Sequence, residues 1–381
     1  MTISSIIIFL SILFALVVVH ELGHFLFAKY FKMKVEEFAF GFPPSLLSKK
    51  IGETSYSINL IPLGGYVKIF GENGLTEEEI SKLSEEEKEK LFGNKKWWQR
   101  IIVLSGGVIF NILGAFILFV IIFMIGSNVF LDQDEIQNIP NSERKTIVTN
   151  IDPKSPLVGT GIETGDQILS FKTSTETLPE ESLDSLSVSD FVQRNNNSLI
   201  TISFKKNIED LNTETFETQI VPKAGIVEGK KVIGVSFAES TYKKYSFFEA
   251  LPEAAKTTFE HLKLIFSSLG QLVYNLVFKN AKVEDNLSGP VGLALMTSKV
   301  SERGLDQILA FAALLSLSLA AFNVLPIPAL DGGRIVFVLL EAIKGKKINA
   351  NVEQLFHGIG FLALLALMVF VTYFDILKAF I

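Results

Sequence analysis

Residues 4–28 read SSIIIFLSILFALVVVHELGHFLFA. The stretch is long enough to cross a bilayer, which takes roughly 20 helical residues, and it carries no ionisable group before its second half. Then His20, Glu21 and His24 arrive within five residues. An ionisable side chain at the centre of a membrane helix costs roughly 2.5–3.5 kcal/mol for Asp, Lys or Arg on insertion scales, so three such groups together mark a functional site. Residues four apart share one helix face, which brings both imidazoles to one point with the Glu21 carboxylate beside them. The pattern is HExxH, in which two His hold zinc and the Glu handles a proton.

Three more stretches are long and apolar enough to span, at about 101–126, 308–328 and 355–374. They account for the composition of the 381 residues, 48% hydrophobic and 20% charged, against about 25% charged in soluble domains. The sequence therefore predicts a polytopic α-helical membrane protein with four transmembrane helices, the first about 4–28. The opening MTISSIIIFL has no basic n-region and no cleavage site follows it, so the first helix reads as retained. Between spans two and three the character reverses. Residues 132–245 hold 12 Lys/Arg against 18 Asp/Glu, which is the whole of the net charge of −6. An acidic domain without a basic stripe argues against nucleic acid as a partner.

Lys29, Lys32 and Lys34 end span one, Lys95, Lys96 and Arg100 precede span two, and Arg334, Lys344, Lys346 and Lys347 lie between spans three and four. The positive-inside rule puts these loops in the cytoplasm and the acidic domain outside. In 259–278, Leu262, Ile265, Phe266, Leu269, Leu272, Val273 and Leu276 recur at helical spacing opposite Glu260, Lys263, Ser267, Gln271 and Asn275. That pattern predicts an amphipathic helix lying on the membrane.

A catalytic zinc site needs a third protein ligand. Cysteine is absent, which leaves His and carboxylates. His261 and His357 qualify by type, but a better setting is Asn323-Val-Leu-Pro-Ile-Pro-Ala-Leu-Asp331-Gly-Gly333. Pro326 and Pro328 break the helix, and broken backbone at membrane depth occurs where protein buries it or water reaches it. Taken alone, Asp331 reads equally well as a turn residue.

Together HELGH and NVLPIPALDGG resemble the site-2 protease family of intramembrane zinc metalloproteases, most closely its bacterial RseP-like members. The resemblance implies that His20, His24 and Asp331 bind Zn2+, that Glu21 is the catalytic base, and that Asn323 holds substrate backbone. YSINLIPLGGYVKIFG, residues 56–71, resembles the family's membrane-associated β-hairpin, whose edge pairs with substrate, so Gly64, Gly65 and Tyr66 become candidate substrate-binding residues, with Gly64-Gly65 supplying the turn. GGVIFN at 106–111 and SGPVG at 288–292 also match the family pattern. As bare chemistry each is helix packing by small residues or a turn.

IDPKSPLVGTGIETGDQILSFK, residues 151–172, resembles the bacterial PDZ domain, a peptide binder by strand addition. One such domain fits here, where many relatives carry two. Gly234 to Phe237 reads either as a carboxylate-binding edge or as a plain core strand, the second being preferred, and 172–198 suits a flexible loop. The charged stretch 72–98 reads as a helix-forming cytoplasmic insert, a solvated surface helix, with Trp97 and Trp98 at the membrane interface.

The expected organisation is a membrane core over 1–126 and 246–381, interrupted by an inserted α+β PDZ-like domain over 127–245. The expected function is a zinc-dependent endopeptidase in the bacterial inner membrane. It would cut single-span membrane proteins such as anti-sigma factors and signal-peptide remnants, with its active site toward the cytoplasm and a peptide or protein ligand for the PDZ-like domain outside. A PDZ adaptor without activity, and another class of HExxH membrane protease, are the alternatives.

Overall fold

The computed structural model describes residues 3–131, 136, 138–140, 143–206, 214–227, 230–279, 289–301 and 304–380. Two compact units emerge, Met1–Ile122 with Phe247–Ile381, and Phe123–Ser246. Ser288 of the SGPVG match lies outside the described residues.

The chain begins with α1 (Ile3–Tyr30), which runs unbroken through HELGH. Strands β1 (Val35–Ile51) and β2 (Thr54–Ile69) follow. The expected hairpin at 56–71 is thus only the second half of a larger one. Its turn is at Gly52-Glu53, where Gly52 takes a positive φ, and Gly64-Gly65 lie inside β2. Because β1 bends after Phe40, that residue sits opposite both Ile58 and Gly65, so the first part of β1 is flanked by both halves of β2.

The charged insert is helical, as expected, but in two short helices. Thr76 and Glu79, then Ser84 and Glu87, form two capping boxes, each satisfying the orphan amides of a new helix. These start α2 (Glu77–Ser81) and α3 (Glu85–Lys90). Span two is also not one rod: α4 (Trp97–Leu104) and α5 (Gly106–Ile125) meet at Ser105.

The inserted unit holds β3 (Ser127–Phe130), β4 (Lys145–Ile151), β5 (Gln167–Lys172), β6 (Thr177–Pro179), α6 (Ser185–Arg194), β7 (Ile200–Lys205), β8 (Thr215–Ile220), β9 (Lys223–Val227), β10 (Lys230–Val232) and β11 (Val235–Lys243). Seven strands form one sheet in the order β3-β11-β4-β5-β7-β8, with β6 on β5, while β9 and β10 form a separate pair. Val148, Ile168, Phe171, Phe191 and Ile202 are buried in its core. The SPLVGTGIETGD segment builds the β4–β5 turn through its polar groups. Ser155 Oγ accepts from Leu157 N at 3.0 Å, Asp166 Oδ2 accepts from Glu163 N at 2.8 Å, and Gly161 and Gly165 hold positive φ. Within the expected loop at 172–198, α6 forms behind the Asp184 cap.

The chain then enters α7 (Phe247–Phe278), α8 (Pro290–Ser301), α9 (Leu305–Val324), α10 (Asp331–Lys344) and α11 (Ala350–Phe380). Among the described residues four helices are long and apolar enough to cross a membrane, namely α1, α5, α9 and α11. Helix α7 is not among them; it extends the expected amphipathic segment and leaves Phe259, Leu264 and Val273 exposed. The third span stops at Val324 instead of 328, because Leu325 before Pro326 is extended, at φ −64 and ψ 143.

Helices α1 and α5 cross at glycines. A Cβ on Gly23 would overlap the Gly106 carbonyl, and one on Gly106 would come within 2.7 Å of Gly23 C. The residue before His24 is thus pressed against the start of α5. Gly23→Ala is expected to lower stability by about 1–3 kcal/mol through overpacking, read as a lower melting temperature of the purified chain in detergent.

Candidate metal centre

His20 and His24 stand one turn apart on α1, and both are buried. Their Nε2 atoms lie 3.2 Å from each other. Asp331, the first residue of α10, brings its Oδ2 to 3.2 Å from His20 Nε2 and 3.4 Å from His24 Nε2. The carboxylate is delivered by the break after α9. Ile327 N donates to Leu325 O at 2.7 Å and Ala329 N to His357 Nδ1 at 2.9 Å, so the freed backbone finds partners. Ala329 has φ 73, a left-handed conformation costing a non-glycine roughly 1–3 kcal/mol, of the kind found at functional sites. Gly332 and Gly333 fold the start of α10 onto the break: a Cβ on either would overlap the carbonyls of Leu325 or Ile327.

Two imidazole nitrogens and one carboxylate oxygen suit zinc in type and spacing. With bonds of 2.0–2.2 Å, the edge of a tetrahedral site is about 3.3–3.6 Å, close to the observed 3.2, 3.2 and 3.4 Å. Among the described residues this is the one such trio of potential ligands. The outer ring nitrogens are held as well. Val103 O, in the last turn of α4 where carbonyls lack helical partners, lies 2.8 Å from His24 Nδ1. Since a carbonyl can only accept, His24 carries its proton on Nδ1 and leaves Nε2 free for a metal. His20 Nδ1 lies 3.1 Å from Asn111 Nδ2. The His20 ring lies where a Cβ on Gly107 would be.

His261 and His357 do not join this group. His261 Nδ1 is 2.8 Å from Thr257 O, and its ring stacks on Phe119; His357 accepts from Ala329 N.

A cleft of about 580 Å³ opens onto the trio, lined by His20, Glu21, His24, Tyr66–Leu75, Ala329, Asp331 and Arg334. Glu21 is therefore beside the trio and open to the cleft. The second half of β2 forms one wall. A Cβ on Gly65 would lie 3.8 Å from Glu21 Cγ, and the Tyr66 hydroxyl donates to Glu37 Oε2 at 2.9 Å. Partial burial and the Glu37 carboxylate push the Tyr66 phenol above its usual range. Gly64 lies next to this wall, its Cβ position 3.2 Å from the Phe42 ring. Asn323 is not among the lining residues, and its amide donates to Leu319 O within α9 at 3.0 Å.

Sequence reasoning missed three contributors. Val103 acts through its backbone, which no side-chain pattern reveals. Glu72 and Arg334 form an ion pair between the turn after β2 and α10, and Arg334 Nη2 also donates to Asn73 Oδ1 at 3.1 Å. The signal available for Arg334 was its place one turn after Asp331.

A family model described as peptidase family M50 matches residues 8–367. The chain is 32% identical over 368 residues to a putative zinc metalloprotease of Fusobacterium nucleatum, with 96% of each chain covered. It is 31% identical over 363 residues to a putative zinc metalloprotease of Clostridium perfringens, covering 95% of this chain and 96% of the other. With the regulator of sigma-W protease RasP of Bacillus subtilis it shares 29% identity over 451 aligned positions, covering 100% of both.

If Asp331 is a ligand, Asp331→Ala should weaken zinc binding by at least about 100-fold, since even outer-shell partners of metal ligands are worth 10–100-fold. Competition against a chelating zinc indicator measures this, and an unchanged affinity removes Asp331 from the metal.

Proposed function

The chain belongs to peptidase family M50, the zinc metalloproteases of site-2 type, and from that premise we propose an intramembrane endopeptidase whose zinc is held by His20, His24 and Asp331. The observation that carries this reading is the convergence of His20 Nε2, His24 Nε2 and Asp331 Oδ2 on a helix long and apolar enough to span a bilayer. Bound zinc supplies Lewis acidity, lowering the pKa of water toward about 7 and polarising a carbonyl. Glu21, one residue from His20 and open to the cleft, takes a proton from the attacking water on its carboxylate. Oxygen adds to the scissile carbon, the C–N bond breaks, and Glu21 returns the proton to the leaving amine nitrogen.

A helical substrate hides its carbonyls in i to i−4 hydrogen bonds, so it must unwind before it is cut. The second half of β2 supplies a template: it pairs with β1 on one side, and among the described residues no strand lies on the other. An unwound segment adding to this edge passes Gly64, Gly65 and Tyr66 and arrives beside Glu21. Asn323 reaches such a strand only by leaving Leu319 O. The substrates fitting this design are single-span membrane proteins, with anti-sigma factors and signal-peptide remnants as the classes proposed. The name of the Bacillus subtilis relative, a regulator of sigma-W protease, supports a role in regulated proteolysis.

The inserted unit is read as PDZ-like. A groove of about 470 Å³ runs between α6 and the start of β11, lined by Val188, Val192, Val235 and Phe237. From Val235 to Ala238, β11 pairs with β4 alone among the described residues, leaving an edge for an extended peptide. We place this unit outside the bacterial inner membrane and the metal centre toward the cytoplasm, on the positive-inside distribution of Lys and Arg.

Glu21→Gln keeps the shape and loses the base. Cleavage of a single-span substrate in detergent is expected to fall by at least about 10²–10⁴-fold, the usual worth of a general base, with zinc content unchanged. Wild-type cleavage by this variant would contradict the mechanism.

A further inference from the structure

Asn111 lies in the middle of the apolar helix α5, its side chain fully buried. Burying a carboxamide away from water is costly unless it is hydrogen-bonded. Its surroundings are closely built. Ser316 Oγ from α9 donates to the Asn111 backbone carbonyl at 2.8 Å, which fixes this turn of α5. Gly107, one turn earlier, gives up its side-chain space to the His20 ring. Asn111 Nδ2 then stands 3.1 Å from His20 Nδ1, while Oδ1 finds no partner among the described residues, and a half-turn of the carboxamide exchanges the two.

The two zinc-facing histidines differ in what sets their protons. His24 has a backbone carbonyl behind it, and a carbonyl admits one tautomer only. His20 has a carboxamide, which presents either an acceptor or a donor depending on a half-turn about its last bond. With the NH2 toward His20, the imidazole keeps its proton on Nε2, aimed at Asp331 and His24. With the oxygen toward His20, the proton sits on Nδ1 and the Nε2 lone pair faces the other two ligand atoms. Only the second arrangement leaves Nε2 free to bind an ion.

We infer that Asn111 is the positioning residue of His20: with its carboxamide turned so that Oδ1 takes the place of Nδ2, it accepts the Nδ1 proton, and with Gly107 it fixes the tautomer and ring plane that offer Nε2 to zinc. The inference rests on the zinc reading above and adds to it a residue outside the ligand set. The alternative role for Asn111 is helix packing alone, which a similar-sized apolar side chain would also serve.

The test is zinc affinity of the purified full chain in detergent, stripped by chelator and titrated against an indicator, for wild type, Asn111→Leu and Asn111→Asp. The melting temperature of each stripped protein is measured in parallel. Asn111→Leu is expected to bind zinc about 10–100-fold more weakly, the usual loss when a partner of a ligating histidine is removed. Asn111→Asp keeps an acceptor and is expected to stay within about threefold of wild type, because carboxylates serve this role on other zinc histidines. If Asn111→Leu does not fold, Asn111→Ala takes its place. An apolar variant that binds zinc like wild type overturns the inference, as does an Asp variant as weak as the apolar one with both stripped proteins melting normally. A wild-type chain that holds no zinc overturns the metal reading itself, a separate outcome from the other two.

Discussion

Asp331 Oδ2 lies within 3.4 Å of the Nε2 atoms of both His20 and His24, although 310 residues of chain separate it from His20. A carboxylate buried without a compensating charge is costly, so this meeting is tolerable only where positive charge is supplied. Much of the core can be read as what brings Asp331 there. The two prolines end α9, Ala329 accepts a left-handed backbone, and Gly332 and Gly333 let α10 start against the carbonyls of the break. Each is unfavourable as ordinary helix chemistry, and together they place one oxygen.

The histidine side depends on backbone approach. Gly23, Gly106 and Gly107 bring α1 and the start of α5 so close that a methyl group on any of them would overlap the partner helix. The same approach sets the His20 ring over Gly107. The interruption at Ser105 ends α4 in time for the Val103 carbonyl to meet His24. An uninterrupted second span would tend to use that carbonyl for its own i to i−4 bond. Helix packing and the geometry of the trio are therefore coupled through the same few residues.

How legible this was in the sequence varies by physical cause. His20, Glu21 and His24 announce themselves because ionisable groups are costly in an apolar helix, and helical spacing joins them. Asp331 needed a second signal, the proline pair, and became distinct only when read with HELGH. Hydropathy located the four long helices but not their ends. It could not see Leu325 turning extended ahead of Pro326, or the break at Ser105, which has no proline to mark it. The hairpin was misplaced because Gly64-Gly65 looks like a turn, whereas the chain turns at Gly52-Glu53 and uses the second pair inside a strand. The small-residue pattern at 106–111 was visible, but which glycine would face an imidazole depends on how α1 and α5 are rotated, and that is a tertiary fact.

The central claim is that zinc is held by two imidazoles and one carboxylate drawn from two distant segments. X-ray absorption at the zinc edge of the purified chain tests it most directly. The account predicts a first shell of two imidazole nitrogens with the remaining ligands oxygen, at about 2.0–2.2 Å. A shell with three or more imidazoles, which would have to recruit His261 or His357, would contradict it.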